Sequence, residues 1–426
     1  MTKYKVIDLF AGCGGLCDGF EQTGYYKHVA GVEWEKAPRD TLVKRLRDKW
    51  GYADAEHRVA RFDIQRTDEL FEGWTNDPVY GDGVGLDNLI GKNGQLDLII
   101  GGPPCQAYSM AGRIRDEHGM QNDYRNYLFE CYLNVVSRYK PKLFVFENVE
   151  GILSACPNGI NIIERIRQAF LNHGYELISD LRGKAVMDLT RFGIPQRRTR
   201  VILVGLRKQT FGKECQLVLN DFYDNILPAY QSATVATVEK AIGDLSAICP
   251  IPKDCHADGK KMSHQSVSSK IPNHVPRYHN KRDIKIFRDL AYDIKSGENR
   301  YTSIAKLNKL YTERTGKTSN VHKYYVLRWD EPSNTIPAHL YKDGLRHIHP
   351  DPRQARSITV REAARLQTFS DDFDFLGSMG DQYKMIGNAV PPLFAKKLGL
   401  AVYDLLKKHS REDKYDGNKC LCSKAI

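Results

Sequence analysis

Five short runs rich in β-branched residues, KVIDLF (5–10), HVAGVE (28–33), LDLIIGG (96–102), KLFVFEN (142–148) and RVILVGL (200–206), alternate with longer amphipathic stretches in the first half of the chain. Few folds accept that order. Runs this uniformly apolar are buried on both faces, and amphipathic helices between them supply the cover. Helices are expected around Gly15–Thr23, Ala37–Lys49, Tyr124–Arg138 and Asn161–Asn172. The layout is α/β, a doubly wound, mixed or mostly parallel sheet of Rossmann-like type, whose ligands bind at the carboxyl ends of the strands. Beyond about Leu219 the alternation fades into a stretch rich in Pro, Ser, His and Lys. Order returns at SITVREAARLQTF (357–369) and at the helix-like PPLFAKKLGLAVYDLLKKH (391–409). The expected division is 1–215 for the sheet domain, 216–380 for a smaller irregular domain, 381–412 for a segment rejoining the first, and 413–426 for a polar tail.

The chain is 426 residues long and 41% hydrophobic, with no apolar run near the eighteen or so residues a membrane span needs and no signal-peptide core at its start. A cytoplasmic protein is expected. Its ten cysteines follow no framework spacing. Cys249, Cys255, His256 and His264 match no zinc pattern, so no metal is expected. The net charge of +11 is concentrated: residues 251–330 hold seventeen Lys and Arg against eight Asp and Glu. That excess suits a polyanion partner, the alternative being a solvated loop surface.

The ends of the runs carry the chemistry. DLFAGCGGL places Gly12, Gly14 and Gly15 where a backbone turns tightly against a ligand. Glu33 and Trp34 follow the second run, an acid suited to a ribose diol beside a ring suited to a base. Together they describe a nucleoside-containing cofactor. Asp63 in RFDIQ is a turn or cap residue by default, with a carboxylate able to accept from an exocyclic amine. In GGPPCQAYS two prolines fix the backbone ahead of Cys105, a poor place for a packing cysteine and a good one for a nucleophile. FENVEG ends an apolar strand in Glu147, a candidate proton donor, the alternative being an ordinary helix cap. In FGIPQRRTRVILVG the alternate positions Gln196, Arg198 and Arg200 are expected to share one face, suited to anion or base recognition.

DLFAGCGG, GVEW, GGPPCQAYS, FENVEG, FGIPQRRTR, SITVREAARLQTF and IGNAVPP, in this order, resemble the motif set of DNA (cytosine-5)-methyltransferases of the bacterial restriction-modification type. The resemblance covers roughly residues 1–206 and 345–409. It implies a class I methyltransferase fold using S-adenosylmethionine, with S-adenosylhomocysteine as product, and a second, smaller target-recognition domain that coincides with the basic stretch. By motif position, Phe10, Gly12, Gly14, Glu33, Trp34, Asp63, Pro104, Leu128 and Asn388 would bind the cofactor. Cys105 would add to C6 of a flipped-out cytosine, Glu147 would hold N3 and the exocyclic amine, Arg200 would stabilise O2, and Arg198 would orient the base or the cysteine. Ser109, Arg113 and Gln196 would contact DNA, and the segment after Cys105 would close over it, with Gly112 and Gly119 as hinges.

The resemblance further implies double-stranded DNA as substrate, a cognate endonuclease acting separately, and a monomeric, nucleoid-associated enzyme. Met385 stands where the family commonly has Gln, Tyr108 where Phe is usual, and WTNDPVYGDGVGLDNLIGKNG (74–94) reads as an inserted loop. The rival readings are a tRNA cytosine-5 methyltransferase of the same family, a catalytically silent DNA-binding protein, and a nicotinamide-dependent dehydrogenase. Cys17 in place of the third glycine of G-x-G-x-x-G speaks against the last.

Overall fold

The computed structural model describes residues 3–91, 95–104, 128–156, 159, 161–257, 259–266, 271–318, 324–342 and 344–410. The chain forms two compact units: residues 1–192, 199–233 and 390–426 in the first, and 193–198 and 234–389 in the second.

Unit one is built on an eight-stranded sheet. Its strands are β1 (Tyr4–Leu9), β2 (Tyr26–Glu33), β3 (Val59–Arg61), β6 (Leu98–Gly101), β7 (Leu143–Asn148), β8 (Tyr175–Glu176), β9 (Val186–Asp188) and β10 (Thr199–Arg207), in the order β3-β2-β1-β6-β7-β10-β8, with β9 also paired to β10. The pairs among β3, β2, β1, β6 and β7 are parallel, whereas β10 runs antiparallel to β7, β8 and β9. The five apolar runs thus form the five central strands. A separate hairpin of β4 (Trp74–Asp77) and β5 (Gly81–Gly83) lies within the segment expected to be a loop. It is anchored by Trp74, whose ring stacks on Phe62 at 3.8 Å.

Helices α1 (Gly15–Glu21), α2 (Lys36–Asp48), α3 (Leu128–Tyr139) and α4 (Ile162–Asn172) flank the sheet as the periodicity predicts. From α3, the buried Tyr132 hydroxyl donates to the carbonyls of Ile99 and Val145 on two neighbouring strands. Residues 216–233 stay with unit one because the Tyr223 hydroxyl bridges β10, accepting from the Val204 amide at 3.0 Å and donating to the Ile202 carbonyl at 2.8 Å.

Unit two contains the antiparallel pair β11 (Ile248–Ala257) and β12 (Lys260–Ser266), then α5 (Lys281–Lys295), α6 (Ile304–Thr315), α7 (Val360–Leu366) and α8 (Met379–Asn388). Its apolar core gathers Ile286, Phe287 and Leu290 of α5 with Leu307 and Leu310 of α6 and with Tyr324 and Ile348. Beside that core Arg356, fully buried, pairs bidentately with the buried Glu362, which also closes a capping box with Thr359 at the start of α7. The unit extends through residue 389, beyond the boundary expected at 380.

The last helix, α9 (Pro392–His409), returns to unit one and packs on α1. A Cβ at Gly19 would lie 2.3 Å from Cβ of Ala395, so glycine permits the close approach. The Tyr26 hydroxyl, donating to the Gly399 carbonyl at 2.6 Å, ties the helix to β2. Among the described residues no helix is long and apolar enough to cross a membrane, and no cluster of His, Cys, Asp and Glu could hold a metal ion.

Candidate active site

The carboxyl ends of β1, β2, β6 and β7 collect the residues singled out in unit one. After β1 the backbone enters the left-handed region three times in five residues, at Phe10 (φ 56°), Gly12 (φ 56°) and Gly14 (φ 90°), before α1 begins. At Gly14 a Cβ would lie 2.5 Å from Cδ1 of Leu42, so the turn is tight as well as left-handed. Glu33, ending β2, fixes this loop: its Oε2 accepts from the Gly12 amide and its Oε1 from the Glu35 amide, both at 2.8 Å.

Burial pushes the Glu33 carboxyl up to about 7. Trp34 follows with 47% of its surface exposed. A buried acid beside an exposed ring and an open glycine loop is a donor set that suits a nucleoside: hydroxyls for the acid, a base for the ring. Asp63 is half-buried, two residues past β3, and its Oδ1 accepts from the Gln65 amide at 3.0 Å. The turn role is therefore visible directly.

At the end of β6 the chain passes through Gly101, Gly102, Pro103 and Pro104. The Glu147 carboxylate lies against Gly102, where a Cβ would come within 2.6 Å of Oε2. Asn148 donates from Nδ2 to the Pro103 carbonyl at 3.3 Å. Two consecutive residues of FENVEG thus clasp the backbone immediately ahead of Cys105. Glu147 is not isolated, since Oε1 meets Arg200 Nε at 2.8 Å, and both side chains are mostly buried. Leu128 is buried at the start of α3, and Pro104 is half-buried. Cys105, Ser109 and Arg113 lie outside the described residues, as do Tyr108, Gly112 and Gly119.

Gln196 and Arg198 meet, Arg198 Nη1 donating to Gln196 Oε1 at 3.4 Å, whereas Arg200 pairs with Glu147. β10 begins only at Thr199, so the alternation of a strand does not extend back over the first two. Gln196 and Arg198 belong to unit two, whereas Arg200 belongs to unit one. Gln196 has no exposed surface, donates to Gln367 Oε1 at 2.9 Å and accepts from the Ile336 amide at 2.8 Å. Arg198, equally buried, donates to the carbonyls of Ile336, Gly387 and Ala389 at 3.3, 3.1 and 3.0 Å. The last two flank Asn388, whose own side chain is exposed. Arg198 therefore holds the turn that presents Asn388.

Two residues that the sequence did not single out belong to the site's frame. Asn148 is next to Glu147 in the motif, and its polar side chain at the end of an apolar strand was the available signal. Asp8 is buried at the end of β1 with neither carboxylate oxygen hydrogen-bonded among the described residues, and burial pushes its pKa well above the carboxylate range. Its place inside an apolar strand gave no distinct signal.

The profile of the family described as "C-5 cytosine-specific DNA methylase" matches residues 4–404. The type II methyltransferase M.Bpa9945I of Bacillus paralicheniformis is 34% identical, with 95% of this chain and 99% of that protein covered. The type II methyltransferase M.PspPI of a Psychrobacter species is 30% identical over 95% of this chain and 80% of its own length. Among solved structures, a candidate DNA modification methyltransferase encoded within an E. coli prophage shares the fold with a TM-score of 0.60 at 22% identity, covering 95% of this chain and 100% of its own. The S. pombe Dnmt2 methyltransferase shares it with a TM-score of 0.52 at 14% identity, over 95% and 99%.

Proposed function

Because the chain belongs to the C-5 cytosine-specific DNA methylase family, we propose that it methylates C5 of a flipped-out cytosine within a specific double-stranded DNA sequence, through a bond between Cys105 and C6, as the modification enzyme of a restriction-modification system. The observation that carries the reading is the clasp of Glu147 and Asn148 on Gly102 and Pro103, with Arg200 on the same carboxylate. It sets an acid and a guanidinium beside the backbone that leads directly into the cysteine.

Cytosine C5 is a weak nucleophile on its own. Addition of the Cys105 thiolate to C6 makes C5 the electron-rich end of an enamine. Glu147 is suited to hold N3 and the exocyclic amine as that charge develops, and Arg200 to meet O2. S-adenosylmethionine, when bound, supplies an electrophilic methyl group. Once C5 has been methylated, loss of its proton restores the double bond and expels Cys105. The glycine loop at 12–15, Glu33 and Trp34 suit the nucleoside half of that cofactor, with Phe10, Asp63, Pro104 and Leu128 around it. Arg198 acts by holding the Gly387–Ala389 turn and so Asn388. Ser109 and Arg113 are assigned to DNA.

Gln196 is assigned a positioning role instead, because its amide is spent on Gln367 and Ile336. A separate cognate endonuclease, a monomeric enzyme and a place on the nucleoid complete the proposal. The type II relatives favour DNA over tRNA as the substrate.

The test is methyl transfer from labelled S-adenosylmethionine to duplex DNA and to tRNA, with bisulfite sequencing of the DNA product. The reading predicts 5-methylcytosine at one DNA sequence. Label on tRNA alone, or on no DNA of any sequence, would overturn it.

A further inference from the structure

Helix α5 segregates its charges. Lys281, Lys285, Arg288, Tyr292 and Lys295 are all exposed and follow one another at spacings of four, three, four and three residues. At about 100° per residue these five side chains fall within about 40° on either side of Lys281, on one narrow stripe. The opposite face, with Ile286, Phe287, Leu290 and Ala291, is buried in the core of unit two.

The three acids of the helix are spent elsewhere. Asp283 closes the helix N-terminus with Asn280 and meets Arg282. Asp289 faces Arg314 of α6 at 3.7 Å. Asp293 has no exposed surface and accepts from the amides of Arg300 and Tyr301 and from Arg300 Nε, each at 3.0 Å. The stripe is left with four cations, none of them ion-paired among the described residues, around a tyrosine that is 57% exposed.

We propose that this face of α5 lies along the sugar–phosphate backbone of duplex DNA and anchors it without reading its sequence. The inference rests on the DNA reading above. Charge complementarity names the occupant: a row of cations with no acid among them, on a stripe whose positions rise about 5 Å from one to the next, suits successive phosphates, and a tyrosine hydroxyl is a further phosphate donor. An acidic protein surface would meet the same charge. It would not produce the linear salt law that counterion release from DNA imposes.

The test measures duplex binding by the full chain from low to physiological salt, for the wild type, for Lys285→Gln with Arg288→Gln, and for a two-charge control, Lys407→Gln with Lys408→Gln, at the end of α9. All four positions are exposed and none is in the core. The α5 variant is expected to flatten the slope of log affinity against log salt by about 0.9 per cation removed, equally on target and non-target duplexes. The control keeps the wild-type slope, and the α5 variant keeps the wild-type methylation site. An unchanged slope, or a loss confined to the target sequence or accompanied by a changed methylation site, would overturn the proposal. A wild type that methylates DNA normally while the α5 variant keeps its slope removes this surface alone. A wild type that neither binds nor methylates DNA removes the reading beneath it.

Discussion

The carboxylate of Glu147 packs against Gly102, leaving no room for a Cβ: one built there would lie 2.6 Å from Oε2. The contact joins the ends of two neighbouring parallel strands, β6 and β7, and it fixes the acid relative to the backbone entering Cys105. Gly102→Ala must therefore move the carboxylate or the loop. Methyl transfer is expected to fall by about 10²-fold or more, the scale seen when a transition-state hydrogen bond is displaced, while affinity for S-adenosylmethionine is retained. Wild-type turnover in the alanine variant would show that the position of Glu147 is not critical.

The proposed role of Glu33 in the cofactor site makes cofactor binding depend on pH. Its pKa in the folded protein, about 7, lies above the ordinary value of 4.5 because burial disfavours the charged form. The folded state thus takes up a proton more readily than the unfolded chain, so this group favours folding most below pH 4.5 and loses that contribution as pH rises through 7. Binding ribose hydroxyls has the opposite need, an ionised acceptor. Calorimetric affinity for S-adenosylmethionine is expected to weaken as pH falls below 7, and Glu33→Gln is expected to bind weakly with a flat profile. A wild-type profile that is flat between pH 6 and 8 would contradict this role.

Arg198 donates to three carbonyls, two of them flanking Asn388. Arg198→Ala removes the side-chain donor of the Ile336 and Gly387 carbonyls, while the Ala389 carbonyl keeps Gln367 Nε2 at 3.3 Å; at about 1–3 kcal/mol for each buried unsatisfied group, a loss of about 3 kcal/mol is expected in urea denaturation. Arg198→Lys restores part of it through a single ammonium. An alanine variant as stable as the wild type would mean that the turn is held by other contacts.

Four buried histidines of unit two, His264, His279, His347 and His349, are held neutral, chiefly by burial, with pKa values lowered from 6.5 to about 4 for His264 and about 3 for the others. The unfolded chain binds their protons first. Stability from these groups is complete above pH 6.5 and is lost as pH falls below it, approaching about 1.4 kcal/mol per pH unit for each histidine. His349 stands edge-on to Trp329, with ring centroids 5.3 Å apart, and Trp34, Trp50 and Trp74 belong to unit one, so fluorescence read with those three changed to Phe reports on unit two. The urea midpoint read this way is expected to fall between pH 7 and 5. A midpoint that holds or rises on acidification would contradict it.

The central sheet was legible because buried parallel strands are apolar throughout, and β1, β2, β6, β7 and β10 stand out against their amphipathic helices. Contacts between strands distant in sequence were not. Nothing local in GGPPC or FENVEG reports that β6 and β7 are neighbours or that Glu147 meets Gly102; that follows from the strand order. Gln196 and Arg198 bond to each other and Arg200 to Glu147, which counting alternate residues could not show because it assumes a strand, and the strand starts at Thr199. The hairpin at 74–83 was hidden by its brevity and its glycines. Its anchor, Trp74 on Phe62, depends on a partner twelve residues away.

The most direct measurement is covalent capture. Duplex DNA carrying 5-fluorocytosine at the mapped target has no proton at C5 to lose after methyl transfer, so Cys105 cannot be expelled. In the presence of S-adenosylmethionine, peptide mass spectrometry should find one DNA adduct, on Cys105, and Cys105→Ser should bind the same duplex without forming it. An adduct on another cysteine, or methyl transfer to C5 that persists in Cys105→Ser, would contradict the account.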